Sequence, residues 1–453
     1  MSATADFARF VERTSFDDIP RAVRDRAKAC LLDWLGVALA GSAEAPSKLV
    51  LEVIRQLKGT KDCTVIGTRM KSTCVNAALV NGTSGHAIEL DDINQEGIIH
   101  PGASVIPAAL AVAELINASG KDLLTAIILG YEIEIRIAAA ITPSHYQLGW
   151  HTTGTCGTFG AATAAGKLLG LHEKKIAYAL GLAATEAAGL VSVFGTMTKP
   201  FNPGRAAMDG VIAALLAKEG FVSPTNTLDD ENGYFHAAAR DVDAKKLSDG
   251  LGKNFKIVDT IVKRHASCGH THAAIDAVLE IKEKTGVSDD DIVEVDIKTY
   301  PIAVNIVGKN NDPKTPSEAK FSLPYCVASA LRHGKVGVQQ FSPNELNDPK
   351  TRKLSKIVTV SASRDFQNTN LGQAKVRLVT KQGQELVKTV NTPKGYPQNP
   401  LTKSELESKF AYLASSVVND KSVTEILNTV NNLETLPRVR KFTCLLSYSK
   451  RKS

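Results

Sequence analysis

Three stretches of this chain set ionisable or hydroxyl side chains just ahead of runs of small residues. Glu89-Leu90-Asp91-Asp92 leads to His100-Pro101-Gly102. Trp150-His151-Thr152-Thr153-Gly154 leads into Gly157 onward. Met197-Thr198-Lys199-Pro200 leads to Gly204-Arg205 and then Ala206. The Ala- and Gly-rich runs read as helices, and a helix start presents unpaired N–H groups and a partial positive charge. Carboxylates bind there. Lys199 and Arg205 add charge suited to a polyanion. His100 and His151 add groups that exchange protons near neutral pH. Convergence of the three helix starts would give an acid–base site for a small carboxylate. Taken singly, each residue has a plainer explanation. A histidine before Pro-Gly can cap a turn, Asp91 and Asp92 can close a loop, and Lys199 and Arg205 can pair with surface acids.

A fourth segment, His265-Ala266-Ser267-Cys268-Gly269-His270-Thr271-His272, collects three histidines and a cysteine. Such a set invites a metal or a cysteine nucleophile. His270 and His272 are two apart, a poor spacing on a helix face, and the sequence offers no second close ligand cluster. Cys268 needs a base and an orienting group that sequence alone does not supply. The expected site therefore holds no metal and no cofactor. Gly160 to Lys167 only approaches a phosphate-loop pattern, because five residues separate its glycines and Leu168 stands where Ser or Thr is needed. The G-x-G-x-x-G dinucleotide fingerprint is absent from the sequence. Asp91-Asp92 resembles the metal-binding acids of terpene synthases, but the second acidic motif is not apparent.

These residues must be held by something. Val23, Ala27, Cys30, Leu31, Trp34, Leu35 and Ala38 share one face of a helix predicted over 20–40. Further helices are predicted over 104–117, 123–140, 157–169 and 206–217, where small side chains allow close approach. The pattern changes near Cys268. Residues 292–300 and 356–363 alternate as strands, and 374–391 read as two strands around Gln382-Gly383. Residues 276–284 and 322–334 read as helices. Thr402 with Glu405 forms a capping box for a helix through Ser415. The expected fold is mostly α: an all-helical domain over 1–267 and 396–453, interrupted by a smaller α+β domain over 268–395. The histidine-rich segment lies at that junction, and clefts between domains are common ligand sites.

Composition narrows the function classes. At 453 residues the chain is too long for one core and suggests two domains. Hydrophobic residues at 43% and charged residues at 22% exclude a disordered chain. Six of the net +7 charges sit on Arg438, Arg440, Lys441, Lys450, Arg451 and Lys452. A basic tail can touch nucleic acid or membrane, but a solvated tail end is the expectation, with neither as a partner. Seven scattered cysteines without a C-x-x-C pair fit a reducing compartment. With no secretory signal and no long apolar run, a cytoplasmic location is expected.

The same segments resemble the MmgE/PrpD family. The matching pieces are "GHAIELDD" at 85–92, "HPGASVIPAALAVAE" at 100–114, "GWHTTGTCGTFGAA" at 149–162, "GTMTKPFNPGRAA" at 195–207, "CGHTHAAIDA" at 268–277 and "NPLTKSELESKF" at 399–410. They span most of the chain in family order. The family includes 2-methylcitrate dehydratases, cis-aconitate decarboxylases and iminodisuccinate epimerases. The resemblance implies a large helical domain with an α+β lid, a homodimer, and a site between the domains that takes a di- or tricarboxylate. It implies catalytic roles for His100, His151, Lys199 and Tyr325, and substrate contacts from Glu89, Asp91, Asp92, Cys268 and His272, with Arg205 joining them as an anion holder. The sequence departs from the animal-type decarboxylases at Cys268, where they carry a histidine, and in a loop before His100 that is one residue longer. Dehydration of a 2-methylcitrate-like substrate is the expected reaction. Iminodisuccinate-type epimerisation, cis-aconitate decarboxylation and non-catalytic carboxylate binding are the alternatives.

Overall fold

The computed structural model describes residues 2–366 and 372–449. Of the basic tail, Lys450, Arg451 and Lys452 lie outside these residues, while Arg440 donates to the carbonyls of Glu114 and Leu115 at 2.8 and 2.9 Å. The fold is mostly α. It divides into two compact units, one made of the chain up to Val262 together with the chain from Thr402 onward, the other of Lys263–Leu401. The elements that matter below are helices α1 (Arg21–Gly41), α2 (Cys74–His86), α3 (Gly102–Ile116), α4 (Gly120–Ile141), α5 (Thr152–Leu168), α6 (Glu173–Glu186), α7 (Thr198–Glu219), α8 (His272–Thr285), α9 (Leu323–His333) and α10 (Lys403–Ala414). The strands are β1 (Ile292–Thr299), β2 (Val358–Ala362), β3 (Ala374–Thr380) and β4 (Glu385–Val390). Among the described residues, no helix is long and apolar enough to cross a membrane. All seven cysteines are unpaired.

In the first unit α4 is enclosed on every side: each residue from Leu123 to Ile141 is buried, including Glu132, Glu134 and Arg136. A helix without an exposed face is a core element. Each of its ionisable side chains is engaged, and burial pushes Glu134 well above the usual carboxylate range. Arg136 Nε donates to Glu132 at 2.6 Å and Nη1 to the Asp249 carbonyl at 2.9 Å. Ser104 Oγ donates to Glu134 at 3.0 Å.

Around this core, small residues let α2, α5 and α7 pack almost backbone to backbone. A Cβ on Gly204 of α7 would lie 2.5 Å from the Leu79 carbonyl oxygen and 2.8 Å from Thr83 N on α2. A Cβ on Gly210, two turns on, would lie 2.6 Å from Ala162 N on α5. Helix α7 therefore rides on both neighbours at once.

The predicted helices are present, and the two that carry site residues begin five or more residues earlier than their composition suggests. Helix α5 starts at Thr152, with His151 as its N-cap. Helix α7 starts at Thr198, so Lys199 sits in its first turn and Arg205 lies in its body. Pro200 and Pro203 conceal that start. A proline within the first turn costs little, while Pro203 removes the N–H that would meet the Lys199 carbonyl. Thr402 and Glu405 form the expected capping box, which opens α10.

The second unit carries a four-stranded sheet in the order β2-β1-β3-β4. Strands β1 and β2 are parallel, with Val295 opposite Val358; β1 and β3 are antiparallel, with Ile297 opposite Val376. Val295, Ile297, Val376 and Leu378 are fully buried. Gly383 turns β3 into β4 at φ +79°, a conformation glycine takes without steric cost.

Candidate active site

The site is built from the first unit. Helix α2 ends at His86, and Glu89, at φ +60°, turns the chain into the acidic loop. The loop then doubles back: Asn94 and Ile99 exchange backbone hydrogen bonds of 2.8 and 3.1 Å, and Asn94 Oδ1 accepts from Gly97 N at 3.0 Å. Ile93 is pinned to Ile261 by bonds of 3.0 and 2.7 Å in both directions. This returns His100 to the acid it left nine residues earlier. Helix α10 holds the loop from behind, where Lys409 Nζ donates to the Leu90 carbonyl at 3.1 Å and pairs with buried Asp33 of α1.

Asp91 is the hub. Its Oδ2 lies 2.7 Å from His86 Nδ1 and 3.2 Å from His100 Nδ1. Burial alone would push Asp91 up, but the two imidazoles outweigh it and hold the carboxyl well below the usual carboxylate range. An ionised Asp91 can only accept, so His86 presents Nδ1–H to it, and His100 Nδ1, 3.2 Å from the same oxygen, faces the carboxylate favourably only when it too carries its proton. That puts the basic lone pair of His100 on Nε2. Asp92 does a different job. Its oxygens accept from Gly102 N at 3.0 Å and Tyr131 Oη at 2.7 Å, tying the loop to the start of α3 and to α4. Burial raises it to about 7.

His151 is buried and carries the opposite arrangement. Its Nδ1 lies 3.0 Å from Asn202 Nδ2 of α7. An amide NH₂ only donates, so Nδ1 is the acceptor and the proton sits on Nε2. Burial, then the nearby charge of Lys199, keeps His151 well below the ordinary histidine range, hence neutral at pH 7. Its ring packs edge-to-face on Phe194 at 4.8 Å. The His86 ring links the two site histidines, 4.7 Å from His100 and 6.0 Å from His151, centroid to centroid. Lys199 is buried, paired with Glu89, and holds Nζ 5.3 Å over the Phe194 ring.

Three polar atoms here, His86 Nε2, Asp91 Oδ1 and Thr152 Oγ1, are buried and find no hydrogen-bond partner among the described residues. Leaving such an atom unpaired costs about 1–3 kcal/mol, which points to a place that a polar ligand or water completes.

Of the sequence-predicted residues, Glu89, Asp91, Asp92, His100, His151 and Lys199 are brought together in this unit. Arg205 is drawn elsewhere. It donates to the Glu186 and Ala188 carbonyls at 2.9 and 2.6 Å and pairs with Asp209 one turn along α7. Its guanidinium fastens the end of α6 instead of waiting for an anion, because a partner at i+4 lies within its own reach. Cys268, His272 and Tyr325 belong to the second unit. Cys268 is half-buried. His272 opens α8, fully buried, with Nε2 3.4 Å from the Ser267 carbonyl. Tyr325, on α9, donates its hydroxyl to the Gln340 carbonyl at 2.7 Å.

Sequence reasoning missed His86, Asn202 and Phe194. Asn202 stands three residues after Lys199 on one helix face, a signal that becomes readable only once α7 is started at Thr198.

His86, Asp91 and His100 are a set of three ligand-type side chains whose donor atoms lie within 4.8 Å of one another. Two ligands on one tetrahedral zinc stand about 3.3 Å apart, given bond lengths of about 2.0–2.2 Å. The 2.7 Å between His86 and Asp91 is instead the length of a hydrogen bond with its proton in place. In the His265–His272 segment the rings of His265 and His272 pack edge-to-face at 5.1 Å, but the hydrogen bonds go to separate partners: His265 to Asp276 at 2.9 Å, His270 to Tyr300 Oη at 2.6 Å, and His272 to Ser267.

Residues 5–246 match the MmgE/PrpD N-terminal domain, and 265–435 the MmgE/PrpD C-terminal domain. Cis-aconitate decarboxylase of Aspergillus terreus is 30% identical over 458 residues, covering 96% of this chain and 93% of its own. The cis-aconitate decarboxylase-like protein oryM of Aspergillus oryzae is 28% identical over 470 residues, covering 98% and 97%. The human cis-aconitate decarboxylase is 28% identical over 459 residues, covering 98% and 94%. With both domain models matched along most of its length, the chain belongs to the MmgE/PrpD family.

Proposed function

We propose that the protein is a lyase acting on a small polycarboxylate by acid–base catalysis without a metal. The observation that carries this is what faces each Nδ1, the Asp91 carboxylate 3.2 Å from His100 and the Asn202 amide 3.0 Å from His151, which assigns a basic Nε2 to His100 and a protonated Nε2 to His151, with buried Lys199 close by. Elimination of water needs that pair. His100 Nε2 takes the proton from the carbon beside a carboxylate, and the C–H electrons form the new C=C. The C–O bond breaks, and the departing hydroxyl takes the proton of His151 Nε2 to leave as water. Lys199, released from Glu89 as a substrate carboxylate takes its place, steadies the negative charge that develops on that carboxylate. Asp91 orients His100 and supports the imidazolium formed in the step, and Asn202 fixes His151.

Dehydration of a 2-methylcitrate-like compound is the first reading, because it uses both tautomers. Decarboxylation of cis-aconitate is the second, favoured by the named activity of the relatives. There the C–CO₂ bond breaks, its electrons shift the double bond, and a histidine delivers a proton to carbon. In the family's pattern the working form is a homodimer with the second unit as a lid, and we carry both over as part of this reading, with Cys268, His272 and Tyr325 contributing from that unit.

The test is to incubate the purified protein, with chelator, with 2-methylcitrate, citrate, cis-aconitate and iminodisuccinate in deuterated water, followed by proton NMR. Loss of water from a citrate supports the first reading, and itaconate-type product from cis-aconitate the second. Deuterium exchange without net product turns the assignment to epimerisation. Silence with all four, in protein shown to be folded, removes the lyase reading.

A further inference from the structure

We propose that His86 is a positioning residue for this chemistry: through Asp91 it fixes the tautomer of His100 and takes up part of the charge that His100 would otherwise face alone. The inference rests on His100 being the proton-moving group.

Four observations lead to it. His86 and Asp91 both have fully buried side chains, so their 2.7 Å hydrogen bond is shielded from water. His100 Nδ1 shares the same oxygen at 3.2 Å. The His86 ring packs edge-to-face on His100 and faces His151, so it sits among the reacting groups. Its Nε2 is buried without a partner among the described residues, a cost that a merely packed aromatic ring would avoid. His86 also ends α2, and the partial negative charge of a helix C-terminus suits a donor there.

The other charged and titratable groups turned toward this cluster are Asp92 and Glu89 on the loop, Asp33 of α1 with Lys409 of α10, His151 of α5 and Lys199 of α7. His86 and His100 both lie on Asp91 Oδ2, at 2.7 and 3.2 Å, so His86 divides the charge of that oxygen with His100. Removing its N–H leaves the whole charge to His100 and favours the imidazolium. The sign is the same whether His86 is neutral or cationic, because losing a donor and losing a competing cation both concentrate Asp91 on His100.

His86→Phe keeps the ring and removes the donor. The acid limb of kcat/KM against pH, measured with whichever of the four carboxylates turns over, then moves up by about one pH unit. His86→Asn places an amide N–H near the former Nδ1 and restores the limb. Independently of any substrate, the His100 Cε1–H signal in protein labelled with ¹³C-histidine, assigned with His100→Ala, titrates at higher pH in His86→Phe and returns in His86→Asn. If His86→Phe does not fold, His86→Gln removes the same hydrogen bond and moves both readouts in the same direction. A lowered plateau with an unmoved limb and an unmoved His100 signal overturns the proposal and leaves His86 as packing. If His100→Ala itself retains turnover, the catalytic reading falls first, and the two failures stay distinguishable.

Discussion

Two regions of this chain are rich in histidine, and they differ in whether the histidines share a partner: in the first unit His86 and His100 meet on one oxygen of Asp91, in the second the partners are separate. In the second unit His265, His270 and His272 crowd into eight residues of sequence, and although the rings of His265 and His272 meet edge-to-face at 5.1 Å, each makes its hydrogen bond to its own partner: Asp276, the Tyr300 hydroxyl and the Ser267 carbonyl. In the first unit His86, His100 and His151 are spread over more than sixty residues of sequence, and helix packing draws their rings into one cluster. Density along the chain is thus a poor guide to a site. What gathers side chains is the close approach of the elements that carry them, here made possible by glycine at the contacts of α2, α5 and α7.

If the contrast is real, the largest effects lie in the first unit. His100→Ala and His151→Ala each lower turnover by about 10²–10⁴-fold, measured on the carboxylate that the proton-NMR panel identifies. Equal activity in either variant would erase the distinction between the regions.

Next comes the packing that builds the cluster. Gly204→Ala sets a methyl group against the Leu79 carbonyl and Thr83 N of α2. Overpacking of this kind costs about 1–3 kcal/mol, so urea unfolding shifts to lower midpoint, and Lys199 and Asn202, on the same helix, lose their alignment with His151.

A smaller effect sharpens the electrostatics. Asp92 rises from an ordinary 3.8 to about 7 on folding. A carboxyl raised by folding binds its proton more tightly in the native state, so stability falls as pH climbs from about 4 to 7 and levels off above. Asp92→Asn removes that slope. Its amide can still serve Gly102 N through the carbonyl oxygen and donate to Tyr131. The gain in unfolding free energy over wild type therefore grows across that window, reaching on the order of 2–4 kcal/mol at its upper end, read from urea unfolding at each pH. A constant difference from pH 4 to 8 would show that Asp92 does not titrate there.

The smallest effect on chemistry belongs to the second unit. His265→Ala unties Asp276, which also receives Lys394 N at 2.8 Å. It lowers stability by about 1 kcal/mol and leaves the pH profile of turnover where it was.

Much of this was readable beforehand, for definite reasons. The strands at 292–299 and 374–380 announced themselves by alternation, since one face of each is buried. Thr402 and Glu405 declared a helix start through side chains alone. His100, His151, Lys199 and the acidic loop stood out because ionisable groups beside small-residue helices are unusual. Arg205 could not be judged, because its engagement depends on Asp209 and two carbonyls at the end of α6. His86 and Asn202 were hidden because their value lies in a partner: a histidine at a helix end and an asparagine between prolines become informative only when Asp91 and His151 are seen beside them.

The central claim is the opposition of two tautomers, and it can be read without a substrate. A long-range ¹H–¹⁵N correlation spectrum of protein labelled with ¹⁵N-histidine, at pH 7.5 and assigned with His100→Ala and His151→Ala, reports which ring nitrogen carries each proton. The account predicts Nδ1–H on His100 and Nε2–H on His151. The same tautomer on both rings would contradict it.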